Sequence, residues 1–347
     1  MRKKISIHDI ARHLNVSATT VSFVLNGRAE EMRIGAEVKK RVLDYAETTN
    51  YRPNLVAKSL RTGKSRIIGM MVEDISDPFF ASIARGIERK AYQLGYKIFF
   101  ASTENQTSNA GDLIKVFRER QVDSYIIAPP PGIASEIQAL IEHEHPVILF
   151  DRYFPDLETT NVIVDNYNGT RKATDHLRSN GSSQIGFVTL ESAQTQMHDR
   201  LQGYLHAIAQ WGQAPCILQL PYALPANSSV EKIKAFIRQH KEMDGILFGT
   251  NYLAFSGLEA INELGRKIPD DLAVVSFDDS RFFRLFTPPV SAVAQPLEKI
   301  AETIISLLMK SLDTPASKRC VETIVLETEF IVRKSSLKRK KTPSRTR

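Results

Sequence analysis

Apolar residues in the first fifty positions recur at helical spacing. Ile7, Ile10, Ala11 and Leu14 fall at i, i+3, i+4 and i+7, which predicts a short helix with one apolar face. Ser6 before it is a natural N-cap, and Asp9 three residues on makes a variant of the capping box. Asn15-Val16 interrupts the run. Ser17 then caps a second helix whose apolar side is Val21, Val24 and Leu25, and Gly27 supplies its stop. Val38, Val42, Tyr45 and Ala46 mark one face of a third helix, with Lys39, Lys40 and Arg41 outside it. Two short helices with a tight joint form a helix-turn-helix, which lays its second helix in the major groove of DNA. The third helix closes a small core and completes a headpiece that ends near Tyr51. After it, Asn54 as N-cap and Gly63 as stop frame a helix of about two turns, too short to be stable alone in water.

From Arg66 the period changes. Strand-like runs appear at Ile67–Val72, Ile98–Ala101, Tyr125–Ala128, Val147–Phe150, Val162–Val164, Ile185–Leu190, Ile217–Leu220, Ile246–Phe248 and Ala273–Phe277. Helical spacing fills most gaps, as in Phe80–Leu94, Leu113–Arg120, Asn168–Arg178, Gln202–Trp211, Val230–Gln239 and Ala254–Leu264. Near-continuous apolar strands separated by helices predict doubly wound parallel sheets covered on both faces. Nine strands are many for one such sheet, so two similar α/β lobes are expected. Ligands of these folds sit beyond the carboxyl ends of the strands. Those ends carry polar tips here: Glu73-Asp74, Asp151-Arg152, Asp165-Asn166, Thr250-Asn251 and Asp278-Asp279. Facing one another, they predict a cleft.

Charge divides the 347-residue chain further. Residues 1–66 carry a net +8, residues 333–347 another +8, and the stretch between them −9. A basic head on an acidic body is the layout of a DNA-binding module attached to something else. The terminal basic run, including Lys338, Arg339, Lys340 and Lys341, reads as a disordered, solvated tail. No apolar run approaches the roughly 20 residues of a membrane span, and the N-terminus lacks the apolar stretch of a secretory signal. Cys216 and Cys320 therefore read as reduced thiols of a cytoplasmic protein, without a disulfide or a metal site. Phosphate-binding loops, nucleophile elbows and metalloprotease motifs are missing, and the eight histidines are scattered. An enzyme is not expected, nor is a cofactor. A transport-type sugar receptor shares the core pattern but not the basic head.

The motifs are specific in combination. The head carries Asp9-Ile10-Ala11, Val16-Ser17, Thr20-Val21-Ser22 and Val24-Leu25-Asn26-Gly27. Next comes Tyr51-Arg52-Pro53-Asn54, with Ala57-Lys58-Ser59-Leu60-Arg61-Thr62-Gly63. The body adds Asp77-Pro78-Phe79-Phe80, Gly86-Ile87-Glu88, Gly95-Tyr96, Asp165-Asn166, Arg200, Gly203-Tyr204, Ile268-Pro269-Asp270-Asp271-Leu272-Ala273-Val274, Thr287-Pro288-Pro289 and Gln295-Pro296. In this order they resemble the Lac repressor family of bacterial transcription regulators from about Ile5 to Val332.

The resemblance implies a headpiece at 1–52, a hinge helix and linker at 53–65, and an effector-binding and dimerisation core at 66–335. The core resembles periplasmic sugar-binding proteins, with one lobe at about 66–161 plus 295–323 and the other at about 162–292 plus 324–335. The chain crosses between them near Asn161–Val164, Ser291–Gln295 and Ile324–Leu326, and a basic tail occupies 336–347. The resemblance places Ser17, Ala18, Thr19, Thr20, Ser22, Phe23 and Asn26 at the major groove or its phosphates. Asn54, Ala57, Lys58 and Leu60 would enter the minor groove, with Leu60 as the wedge at the operator centre. Phe23 departs from the polar base-reader usual there and offers only apolar contact, which suits a thymine methyl. Gly35 departs too, replacing the serine that commonly opens the third helix. In the cleft, Phe79 and Phe80 would form an apolar wall, and Asp151, Arg152, Arg200, Thr250, Asn251, Asp278 and Gln295 polar contacts. The partners implied are palindromic double-stranded operator DNA, a small-molecule effector (a sugar or sugar phosphate) and a second copy of the chain.

Overall fold

The computed structural model describes residues 5–51, 63–222 and 224–337. Two compact units divide at Ser65/Arg66. The hinge positions Asn54, Ala57, Lys58 and Leu60, and the basic run after Leu337, lie outside the described residues.

In the first unit, α1 (Ile7–Leu14), α2 (Ala18–Leu25) and α3 (Ala36–Thr48) close on Ile10, Val21, Val24 and Val42, all buried. Ser6 caps α1 as expected: its hydroxyl accepts from the Asp9 N–H at 3.2 Å, and the Asp9 carboxylate accepts from the Ser6 N–H at 2.9 Å. Asn15 makes the turn in left-handed conformation (φ +53°), a geometry that asparagine tolerates better than most side chains. Gly35 caps α3 without a side-chain bond. Arg41 on α3 donates to the Leu14 carbonyl at 2.9 Å, tying α3 to the end of α1.

The second unit contains two six-stranded sheets of matching order. The first holds β1 (Ile67–Val72), β2 (Lys97–Ser102), β3 (Ser124–Ile127), β4 (Val147–Phe150) and β5 (Thr160–Val164), with α4 (Pro78–Gln93), α5 (Thr107–Glu119) and α6 (Ala134–Glu142) between them. After β5 come α7 (Asn166–Ser179), β6 (Ile185–Leu190), α8 (Thr195–Gln210), β7 (Cys216–Leu220), α9 (Ala226–Gln239), β8 (Gly245–Phe248), α10 (Asn251–Glu263), β9 (Ala273–Phe277), α11 (Arg281–Leu285) and β10 (Ser291–Ala294). The chain then returns through α12 (Leu297–Asp313) and β11 (Thr323–Leu326) and ends with β12 (Glu329–Ile331). The orders are β11-β5-β4-β3-β1-β2 and β12-β10-β9-β8-β6-β7. All pairings are parallel except β10 with β12. Each sheet is buried between helices, and β3, β4, β6, β8 and β9 are buried along their whole length.

Four expected boundaries are corrected. Asn161–Val164 and Ile324–Leu326 are not crossings: both pair side by side within the first sheet, Val162 opposite Ile324 and Val164 opposite Leu326. Ser291–Ala294 likewise belongs to the second sheet. The chain changes lobes just beyond these strands, at Asp165, at Gln295-Pro296 and at Glu327-Thr328. Strand hydrogen bonding therefore carries the first lobe to Val164 and resumes it through Leu326. The tail also begins later than 336, because Ser335 and Ser336 are fully buried. Ser335 accepts from the Ser291 N–H at 2.8 Å and donates to the Val274 carbonyl at 2.6 Å, and Ser336 Oγ lies 2.7 Å from Ser291 Oγ.

Candidate functional site

The outer face of α2 follows from its buried one. Val21 and Val24 point into the headpiece core with Ala18 half-buried against it, leaving Thr19, Ser22, Phe23 and Asn26 toward the other side of the helix. Ser17 caps the helix, accepting from the Thr20 N–H at 2.9 Å, and its hydroxyl meets that of Thr20 at 2.8 Å. These two hydroxyls are thus partly committed to the helix start, where free N–H groups favour an anion. Asn26 donates to the Ser22 carbonyl at 2.7 Å. The Arg28 guanidinium stands 5.5 Å from the Phe23 ring centre and forms a two-pronged pair with Glu31 at 2.6 and 2.8 Å.

The second site lies where the carboxyl ends of the two sheets face each other. Its lining includes all nine residues singled out for a ligand: Phe79, Phe80, Asp151, Arg152, Arg200, Thr250, Asn251, Asp278 and Gln295. It also brings in Glu73 and Asp77, seen in the sequence as a strand tip and in a motif but not assigned to the ligand, and Gln194, Gln196 and Tyr252, which sequence reasoning missed. The acids Glu73, Asp151 and Asp278 directly follow β1, β4 and β9, and the Thr250-Asn251 pair follows β8 after Gly249. Asp77 caps α4, accepting from the Phe79 N–H at 2.7 Å, and Thr250 caps α10, accepting from the Leu253 N–H at 3.3 Å. Phe79 and Phe80 pack edge to face, with centres 4.9 Å apart.

Both arginines are held fast. Arg200, 2% exposed, rises from α8. Its Nε donates to Asn166 Oδ1 at 2.9 Å and its Nη1 to the Gly249 carbonyl at 2.8 Å, with Asp278 Oδ2 at 3.6 Å. Its charge lies 3.7 Å over the Phe277 ring. Gly203 makes this placement possible, because a Cβ there would strike the Tyr167 carbonyl of α7. Arg152, 3% exposed, is bound by Glu73, approaches Asp151 at 3.1 Å and donates to Asn105 at 3.4 Å. Gln295 donates to Asp278 Oδ1 at 2.6 Å.

Burial dominates the site's acidities. It raises the Asp77 carboxyl to about 6, with Asp278 and Glu73 pushing the same way. Burial also raises Asp151 and Asp278 against the pull of the neighbouring arginines. Burial opposes the charge on Arg152, yet Glu73 and Asp151 outweigh it and hold the guanidinium protonated.

The walls touch across the cleft. Gln194 donates to Asn105 at 3.0 Å, Asn251 to Asp77 at 3.5 Å, and the Tyr153 N–H to Thr195 at 3.4 Å. The space left is about 40 Å³. A larger guest enters only when the lobes part. Among the described residues no cluster of His, Cys, Asp and Glu is arranged to hold a metal ion, and no helix is long and apolar enough to cross a membrane.

Residues 6–54 match the bacterial regulatory proteins of the lacI family, and residues 174–336 match a periplasmic binding protein-like domain. An HTH-type transcriptional repressor PurR from Aliivibrio fischeri (strain MJ11) is 30% identical over 345 residues, spanning 97% of this chain and 99% of that protein. The chain belongs to the lacI family. It is a DNA-binding transcriptional regulator, and the family is not one of enzymes. The ribose operon repressor of Halalkalibacterium halodurans, also similar, is 28% identical over 333 residues, covering 95% of this chain and 97% of that one. Among solved structures, the Lac repressor dimer bound to operator and the anti-inducer ONPF shares the fold. Its TM-score is 0.84 at 20% identity, over 96% of this chain and 100% of that one. A lacI-type regulator from Alkaliphilus metalliredigens QYMF complexed with D-xylulofuranose has a TM-score of 0.67 at 25% identity, over 78% of this chain and 98% of that one.

Proposed function

We propose that this lacI-family protein is a repressor of carbohydrate-utilisation genes, released from or driven onto its operator by a polyhydroxyl effector in the interlobe cleft. One observation carries the reading: nine residues scattered from Phe79 to Gln295 line a single cavity between two lobes. Carboxylates beside arginines supply paired acceptors and donors for vicinal hydroxyls, and Phe79 and Phe80 supply an apolar wall. Of the two effectors expected, a sugar fits better than a sugar phosphate, since Arg152 and Arg200 are already engaged by protein groups.

On the DNA side, Ser17 and Thr20 sit where a phosphate is favoured, and Ala18, Thr19, Ser22, Phe23 and Asn26 meet the major groove or its phosphates. Asn54, Ala57, Lys58 and Leu60 contact the minor groove when two copies meet on a palindrome. Two chains act as a symmetric dimer whose lobe arrangement sets whether the hinges meet. An effector favouring one arrangement by 1–3 kcal/mol shifts operator affinity roughly 5- to 150-fold. A purine is the second reading, supported by the relative named for purine repression. Thermal-shift screening of the full chain with sugars, sugar phosphates and nucleobases tests both. A hit that Arg200→Ala abolishes supports the cleft, and a hit indifferent to Arg200→Ala contradicts it.

A further inference from the structure

The charges of the cleft do not balance. Glu73, Asp77, Asp151 and Asp278 face only Arg152 and Arg200 among its lining residues. Arg152 serves Glu73 and Asp151 together, and Arg200 serves Asp278. Among the described residues no cation pairs with Asp77, whose carboxylate accepts from the Phe79 N–H and the Asn251 amide. Gln196, 5% exposed, adds a buried amide oxygen without a partner in the same cavity. The cleft therefore offers more acceptors and negative charge than donors, although Arg152 Nε also lacks a hydrogen-bond partner.

We infer that the effector carries a positive charge as well as hydroxyls, an amine-bearing polyol whose ammonium sits between Asp77 and Asp278, and that phosphorylated or carboxylated ligands are refused. The inference rests on the interlobe cleft being the effector site. An ammonium is compact, donates three hydrogen bonds and accepts none, which matches a wall of carboxylates and an orphan amide oxygen. A phosphate would meet four acidic groups against two guanidiniums already paired with three of them, and like charges at close range oppose burial.

Three probes of similar size test this on the full chain at pH 7, equal concentration and equal ionic strength: tris(hydroxymethyl)aminomethane, its neutral twin pentaerythritol, and glycerol 3-phosphate. The expected result is that the protonated amine binds at least about tenfold tighter than the neutral twin, equivalent to about 1.4 kcal/mol, with no binding of the phosphate. The preference should disappear in Asp77→Asn and in Asp77→Asn/Asp278→Asn. If the double variant fails to fold, the single one decides. Equal binding of the twins, stronger binding of the phosphate, no binding of any probe, or an amine preference that survives Asp77→Asn overturns the inference. A sugar whose binding depends on Arg200 keeps the effector reading intact whichever way the charge preference falls.

Discussion

Asp77 and Asn251 reach toward each other from opposite walls of the cleft, the carboxylate Oδ1 and amide Nδ2 3.5 Å apart. Each stands at a helix start, Asp77 as the cap of α4 and Asn251 as the first residue of α10. Closing the lobes thus buries a carboxylate against an amide rather than a cation. Its pKa of about 6, set first by burial, makes the folded chain bind a proton more tightly than the unfolded one. The associated stability is present below the unfolded value near 3.8 and is lost as pH rises through 6. Asp77→Asn keeps a capping oxygen and removes the charge. It should raise stability at pH 8 by about 3 kcal/mol and flatten the decline between pH 4 and 6. Chemical denaturation across that range checks it. An unchanged slope would mean that Asp77 is solvated when folded.

Arg200 should be the most costly residue of the cleft to lose. Its removal leaves Asp278 buried beside Gln295 without a cation and orphans the Gly249 carbonyl. Breaking a buried pair from one side costs about 3–5 kcal/mol. Arg200→Ala should destabilise on that scale, and Asp278→Asn in the same chain should restore part of the loss. A double-mutant cycle with additive changes would show the pair to be uncoupled.

Phe23 is predicted to set one operator position. A phenyl ring gives a thymine methyl an apolar contact, whereas an arginine at the same place pairs with guanine. Phe23→Arg should move the base selected there toward guanine, and Phe23→Ala should relax it. Selections that return identical operators for all three chains would reject this role.

Leu60 lies outside the described residues, and its expectation rests on the family resemblance. Leu60→Ala should weaken operator binding more than tenfold while leaving non-specific binding nearly unchanged, because unstacking a step is repaid only at the bent site. Equal losses on both DNAs, measured by fluorescence anisotropy, contradict the wedge.

Much of this architecture was legible because its signals are local. Runs such as Ile185–Leu190 and Ala273–Phe277 are apolar throughout, as strands buried on both faces must be, and Ser6 with Asp9 announces the first helix directly. Thr323–Leu326 was misread for the opposite reason. It is the edge strand of the first sheet, with Val325 more than half exposed, so no continuous apolar run separates it from a linker. Of the cleft, the residues ending strands or carried by family motifs were found. Glu73 was visible as a strand tip and Asp77 as part of a motif, without either being assigned to the ligand. Gln194 and Gln196 had no signal, since only the approach of the two lobes places the start of α8 beside Asn105 and Pro129.

Selection of duplexes from a random pool by the purified full chain tests the central claim most directly. The account predicts enrichment of a palindrome with two half-sites flanking a kinkable central step, bound more weakly as salt rises. Recovery of no sequence above the starting pool would contradict it.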